Sequence, residues 1–245
     1  QAWFEDAITF EQAYSVAPTC SPSRAGLLTG MYPHQNGMLG LAQRGFELDT
    51  SKHLARFLSE NGYRTALCGV QHEYAYYLDH DLAYAELGYA EDLSADHRGY
   101  AESDLVYWDA ENADNLSRWL VQNAGDDTPF FVSFGMHATH RAFPTAEFPA
   151  PFPASPVPPA SVPNDAASRA DYAGYLTSAK FADDAVGRVL TALKAAGRYD
   201  DTIVLVTTDH GIPYPGHKGT LTAAGTGVML GVRVPGAAHG RGEYD

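Results

Sequence analysis

The chain has 245 residues, 45% of them hydrophobic, and carries 16 basic against 30 acidic residues for a formal net charge of −14. That apolar share supports a packed core and excludes a disordered chain, while no run of about 18 apolar residues is present to span a membrane. The acidic balance excludes a nucleic-acid binder, which needs a basic face, and requires any anionic substrate to be drawn by a local cationic pocket.

In chain order, the first strong signal is Cys20-Ser21-Pro22-Ser23-Arg24, followed by Ala25-Gly26-Leu27-Leu28-Thr29-Gly30. Pro22 suits the first turn of a helix, where its missing N–H has no partner to lose. The free N–H groups of that turn face an anion beside Cys20, and Arg24 adds a fixed positive charge. Next, 52–61 reads as a helix closed by Gly62, then Arg64–Gly69 as a strand ending near Cys68, which reads as a buried filler. Two cysteines in all exclude a disulfide framework.

The tyrosine- and aspartate-rich segment 74–89 carries no assignment. A helix is predicted over 115–123, a strand over Phe130–Gly135, and a long helix over about 168–196 closed by Gly197. Between the last two, eight of the 15 prolines fall at 143–163. Proline at that density excludes helix and central strand, so the segment reads as a surface excursion. Strands are predicted over 202–208 and 227–234. Several of the four strands lack polar alternation, as strands buried on both faces do. Helices alternating with such strands predict an α/β sandwich with a mostly parallel central sheet.

The Cys20–Arg24 pattern, its trailing Thr29-Gly30, and the run Met31-Tyr32-Pro33-His34-Gln35-Asn36-Gly37-Met38 resemble the signature of the type I sulfatases, most closely their sulfamidase (heparan N-sulfatase) branch and its bacterial members. The resemblance implies the alkaline-phosphatase-like fold. It also implies that a separate formylglycine-generating enzyme oxidises Cys20 to an aldehyde, whose hydrate attacks sulfur. The expected reaction is hydrolysis of a sulfuric ester or sulfamate on a sulfated sugar of the glycosaminoglycan kind.

The resemblance then assigns further residues. Asp209 and His210, in Thr208-Asp209-His210-Gly211 at a strand's carboxyl end, match positions that ligate calcium together with the residue-20 hydrate. Histidine is an indifferent calcium ligand, so another divalent cation stays open. Lys218, in His217-Lys218-Gly219-Thr220-Leu221, matches a sulfate-binding lysine that also serves the leaving group. His140, in His137-Ala138-Thr139-His140-Arg141, matches the histidine that touches the sulfate or the departing group. Thr139 stands where the family has proline, and His137 reads as a packing residue. In Gly69-Val70-Gln71-His72, His72 matches the base that takes a proton from the hydrate. Val70 stands where most members have lysine, and Gln71 supplies only a neutral donor to the substrate.

The resemblance also implies a strand ending in paired aspartates upstream of the cysteine and a smaller carboxyl-terminal subdomain. No Asp-Asp pair precedes Cys20, so 1–245 is expected to be a partial catalytic domain, incomplete at both ends. A vacant sheet position and a metal site short of ligands are expected to follow. Family analogy favours a periplasmic or secreted bacterial protein and admits a homodimer. Alternatives are a phosphonate monoester or phosphodiester hydrolase of the same superfamily, and a non-catalytic module that keeps the fold. A cysteine phosphatase needs arginine six positions after its cysteine, where this chain has Gly26.

Overall fold

The computed structural model describes residues 2–74, 78, 82–145, 156–237 and 240–241. The predicted excursion at 143–163 therefore lies outside the described residues over 146–155, as do 75–77 and 79–81 of the segment at 74–89. The chain begins with β1 (Ile8–Tyr14), α1 (Cys20–Thr29), α2 (Pro33–Asn36), α3 (Leu54–Glu60), β2 (Arg64–Gly69) and α4 (Ala83–Leu87). It continues with β3 (Glu91–Asp92), α5 (Leu105–Gln122), β4 (Phe130–Gly135) and α6 (Ala166–Ala195). It closes with β5 (Val204–Thr207), α7 (Ala223–Thr226), β6 (Gly227–Arg233) and β7 (Gly240–Arg241). No helix among the described residues is long and apolar enough to cross a membrane.

One sheet is parallel, in the order β3-β2-β4, with Arg64 opposite Phe130 and Gly69 opposite Gly135. Successive side chains of β2 point to opposite faces, and both faces are covered. Cys68 packs with Leu116, Trp119 and Leu120 of α5 and Leu193 of α6. Leu67 packs on the other side with Ala55 of α3, Leu87 of α4 and Tyr89. The long helices α5 and α6 lie against each other over this core.

Beside this parallel sheet stands a second, mostly antiparallel one. Its order is β5-β6-β1-β7; β6 runs antiparallel to both neighbours, and only β7 pairs parallel with β1. The reason lies in the connection from β5 to β6. A parallel return needs a crossover element, usually a helix, and 208–226 offers only the four-residue α7, so β6 folds straight back alongside β5. β1 escaped the sequence reading because it is half-buried and irregular. Its pairing with β6 shifts between Phe10 and Ala13, where an extra residue bulges. Beyond the bulge, Ser15 N–H donates to Thr226 C=O at 2.8 Å, and the chain turns into α1.

α5 starts ten residues before its predicted helix because Asp109 and Asn112, both fully buried, sit on its core face and interrupt the apolar spacing. Both have partners: Asn112 Oδ1 accepts from Ala95 N–H at 2.7 Å, and the Asp109 carboxylate accepts two backbone N–H groups described below.

The carboxyl ends of β2 and β4 meet at a close backbone approach. Gly69 has φ 78°, and a Cβ there would lie 2.1 Å from the Gly135 carbonyl oxygen, which already accepts from Val70 N–H at 2.8 Å. Gly69→Ala is expected to destabilise the fold by roughly 2 kcal/mol or more, combining left-handed strain with displacement of that carbonyl. Urea unfolding checks this; an unchanged midpoint would remove the constraint.

Candidate active site

The site forms where the first turn of α1 meets the end of β5. Thr19 begins α1 without a side-chain cap, so the first-turn N–H groups stay available. Three backbone and side-chain ties hold the two segments together. Ser23 Oγ donates to the Asp209 carbonyl, Gly219 N–H donates to Pro18 C=O at 2.9 Å, and Arg24 Nε donates to Asp209 Oδ2 at 3.2 Å. The second of these sets Lys218 beside Cys20.

Cys20 is half-buried and unpaired with Cys68. Its Sγ lies 3.3 Å from His210 Nε2 and accepts from Lys218 Nζ at 3.4 Å. His210 is oriented by its other nitrogen, with Nδ1 2.8 Å from the Gly211 carbonyl, which makes Nδ1–H the donor. Burial alone would raise the Cys20 thiol, and Asp209 also pushes it up. Hydrogen bonds from His210 and His72, with the Lys218 charge, override both and bring it down to about 5. Burial opposes the charge of Asp209 too, yet Arg24, His210 and Lys218 hold its carboxyl below the usual range. Burial lowers His210, but the Cys20 sulfur and Asp209 raise it above an ordinary imidazole. Cys68, by contrast, is fully buried, and its thiol is pushed far up.

The structure thus brings together Cys20, Arg24, His72, Asp209, His210 and Lys218. His72 is buried, and its Nε2 lies 2.7 Å from Gln43 Oε1. Gln71 is also buried, and its amide oxygen accepts from Glu73 and Tyr74 N–H at 3.2 Å each, so that oxygen serves the turn. His140 sits one step out, its ring 5.2 Å from that of His137. His137 in turn feels the Lys218 charge, which joins burial and His140 in lowering it to about 4.

Four residues of the site carried no usable signal in the sequence. Gln43 lies in a loop without periodicity. Glu73, buried behind His72, accepts the His72 N–H at 2.9 Å and puts a second negative charge near Arg24. Asp109 accepts the N–H groups of His137 and Ala138 at 2.8 Å each and so fixes the histidine loop. Burial raises its carboxyl to about 7, against the pull of those two bonds. Glu102, in a short turn before α5, reaches the two histidines.

Cys20, Asp209 and His210 present ligand atoms within 4.8 Å of one another. They fit calcium poorly. Calcium takes six to eight oxygens, and this set offers a single carboxylate, already engaged by Arg24, with one nitrogen and one sulfur.

The family model described as sulfatase matches residues 1–240. The chain belongs to the sulfatase family. It is 32% identical over 261 residues to human N-sulphoglucosamine sulphohydrolase, covering 94% of this chain and 48% of that protein. It is 30% identical over 230 residues to an ulvan-active sulfatase of Formosa agariphila, covering 84% and 44% respectively. The chain thus spans about half the length of the curated relatives it matches. A phosphonate monoester hydrolase from Silicibacter pomeroyi superposes with a TM-score of 0.69 at 22% identity, covering 98% of this chain and 63% of that one. At that identity the likeness shows the shared fold alone. The sulfatase fold class, with the alkaline-phosphatase-like arrangement, is the architecture of this chain.

A thiol at about 5 is almost wholly ionised at neutral pH, whereas an ordinary one near 8.5 is only a few per cent thiolate. Iodoacetamide labelling of Cys20 in unoxidised protein is therefore expected to rise through pH ~5 and stay flat above it. His210→Ala is expected to move the inflection upward further than Lys218→Met. An inflection near the ordinary thiol value in the unsubstituted protein would contradict this electrostatic account.

Proposed function

We propose that this chain carries the sulfate-binding core of a hydrolase that releases inorganic sulfate from a sulfated saccharide, with residue 20 working as formylglycine. The observation that carries the reading is the position of Cys20: at a helix start, between His210 and Lys218, in surroundings that favour an anion on its side chain. Donors that stabilise a thiolate there equally stabilise an oxyanion. Once oxidised by a formylglycine-generating enzyme and hydrated, residue 20 supplies an oxygen nucleophile and a second hydroxyl for releasing sulfate.

The remaining steps belong to the chain's own side chains. Lys218 neutralises a sulfate oxygen and donates toward the leaving group. Arg24 holds Asp209 through Nε, keeping its other guanidinium N–H groups for a bound anion. His72, steadied by Gln43, is the base that takes the second hydroxyl proton. His140 meets the leaving group from the loop that Asp109 pins. Gln71, the neutral donor in the motif, has its amide oxygen engaged by the N–H groups of Glu73 and Tyr74. Asp209 and His210 supply two of the ligands a divalent ion needs; the described residues do not complete a calcium site.

The substrate class follows from similarity. N-sulfated glucosamine is favoured by the 32% identity to the human N-sulphoglucosamine sulphohydrolase. The protein, co-expressed with a formylglycine-generating enzyme, is expected to show by intact mass the change of residue 20 from CH2SH to CHO. It is expected to release sulfate from N-sulfoglucosamine in preference to cleaving a phosphonate monoester. Cys20→Ala is expected to abolish turnover, and Lys218→Ala to lower kcat by about 10²–10³-fold, the scale of losing one charge-stabilising donor. Full activity in Cys20→Ala, or a preference for the phosphonate, would refute the assignment.

A further inference from the structure

A second cluster of ligating side chains stands apart from Cys20. We infer that Glu102, His137 and His140 form a binding site for a zinc-class divalent ion at the edge of the cleft beside the sulfate centre. Their ligand atoms all lie within 4.8 Å of one another. A tetrahedral ion with bonds of about 2.0–2.1 Å sets its ligands roughly 3.4 Å apart. No pair is therefore more than about 1.4 Å from that spacing, and the exposed Glu102 is free to adjust its rotamer.

The fold, rather than chance exposure, gathers the three. His140 N–H donates to the His137 carbonyl at 2.7 Å, a tight turn that sets the two imidazoles side by side, 5.2 Å between centroids. Asp109 of α5 accepts the N–H groups of His137 and Ala138, bolting that turn to the helix. Glu102 lies in the turn that leads into the same helix, so the tie that positions the histidines also positions the carboxylate. His140 Nδ1 is held against the Arg141 carbonyl. That contact fixes the ring and turns Nε2 outward, the arrangement by which metal-bound histidines are oriented.

Two nitrogens and one carboxylate match zinc and its neighbours, not calcium. Three protein ligands leave a coordination position free. It opens onto a cleft of about 810 Å3 that Glu102 and His140 line together with Arg141 and Asp171. Lys218, whose charge reaches His137, directs its ammonium at the Cys20 sulfur instead. An ion held here draws on His140 and withholds it from the sulfate. That consequence rests on the function proposed above; the site itself does not.

Cobalt(II) is the probe. Titrated into the protein, it is expected to bind with visible d–d bands of a nitrogen–oxygen set and to be displaced by zinc. These bands are expected to persist in Cys20→Ser, which removes any sulfur-to-cobalt charge-transfer band from the other centre. Glu102→Gln, at an exposed position where folding is not at stake, and His137→Gln are each expected to weaken binding at least about tenfold. Unchanged cobalt affinity in both variants, or loss of binding in Cys20→Ser, overturns the site. Cobalt bound through Glu102 and His137 with no loss of sulfate release overturns the role given to His140 and leaves the site standing.

Discussion

The ion pair between Arg24 and Asp209 is the contact on which the site rests. It joins the first turn of α1 to the end of β5 across 185 residues of sequence, and both side chains are mostly buried, 20% and 24% exposed. A carboxylate at that depth is costly unless a cation and hydrogen bonds compensate it. Arg24 supplies the cation. The Ser23 hydroxyl ties the Asp209 backbone, and the Gly219–Pro18 bond brings in Lys218 from the loop beyond β5. The groups around Cys20 are therefore placed together by this pair and the two ties beside it.

That local order answers the charge problem posed by the composition. A chain of net charge −14 repels an anion at long range. Salt screens such repulsion beyond roughly 8 Å at physiological ionic strength. At 3–4 Å from the sulfur the relevant neighbours are Lys218 and His210, where screening is weak because the pocket is partly closed to water.

The sequence was most legible where chemistry and local geometry coincide. Pro22 and Arg24 announced the helix at Cys20, and the runs at 64–69 and 130–135 announced β2 and β4 residue for residue, because both are covered on two faces. β1 was silent, since a bulged, half-exposed strand has no clean period. The antiparallel return of β6 was hidden because strand patterns carry no direction. Gln43, Glu73 and Glu102 were hidden for another reason: each matters only through a partner distant in sequence or through the burial it acquires on folding. Gln71 shows the converse. Its place in a motif drew attention to it, but its oxygen is engaged by the turn that follows.

Charge arithmetic within the pocket links the thiol state to the proposed aldehyde state. With Cys20 ionised, three anions, the thiolate, Asp209 and Glu73, stand against two fixed cations, Arg24 and Lys218, and the raised His210 offsets part of the difference. Replacing the thiolate by the proposed neutral aldehyde removes one negative charge and leaves Arg24 and Lys218 facing Asp209 and Glu73. In that proposed state no anion stands on residue 20, and Lys218 and His210 face the place where a sulfate group would sit. On the proposed course, oxidation of residue 20 does two things at once: it makes the hydrate that supplies the oxygen nucleophile, and it vacates the anion that would otherwise repel the substrate.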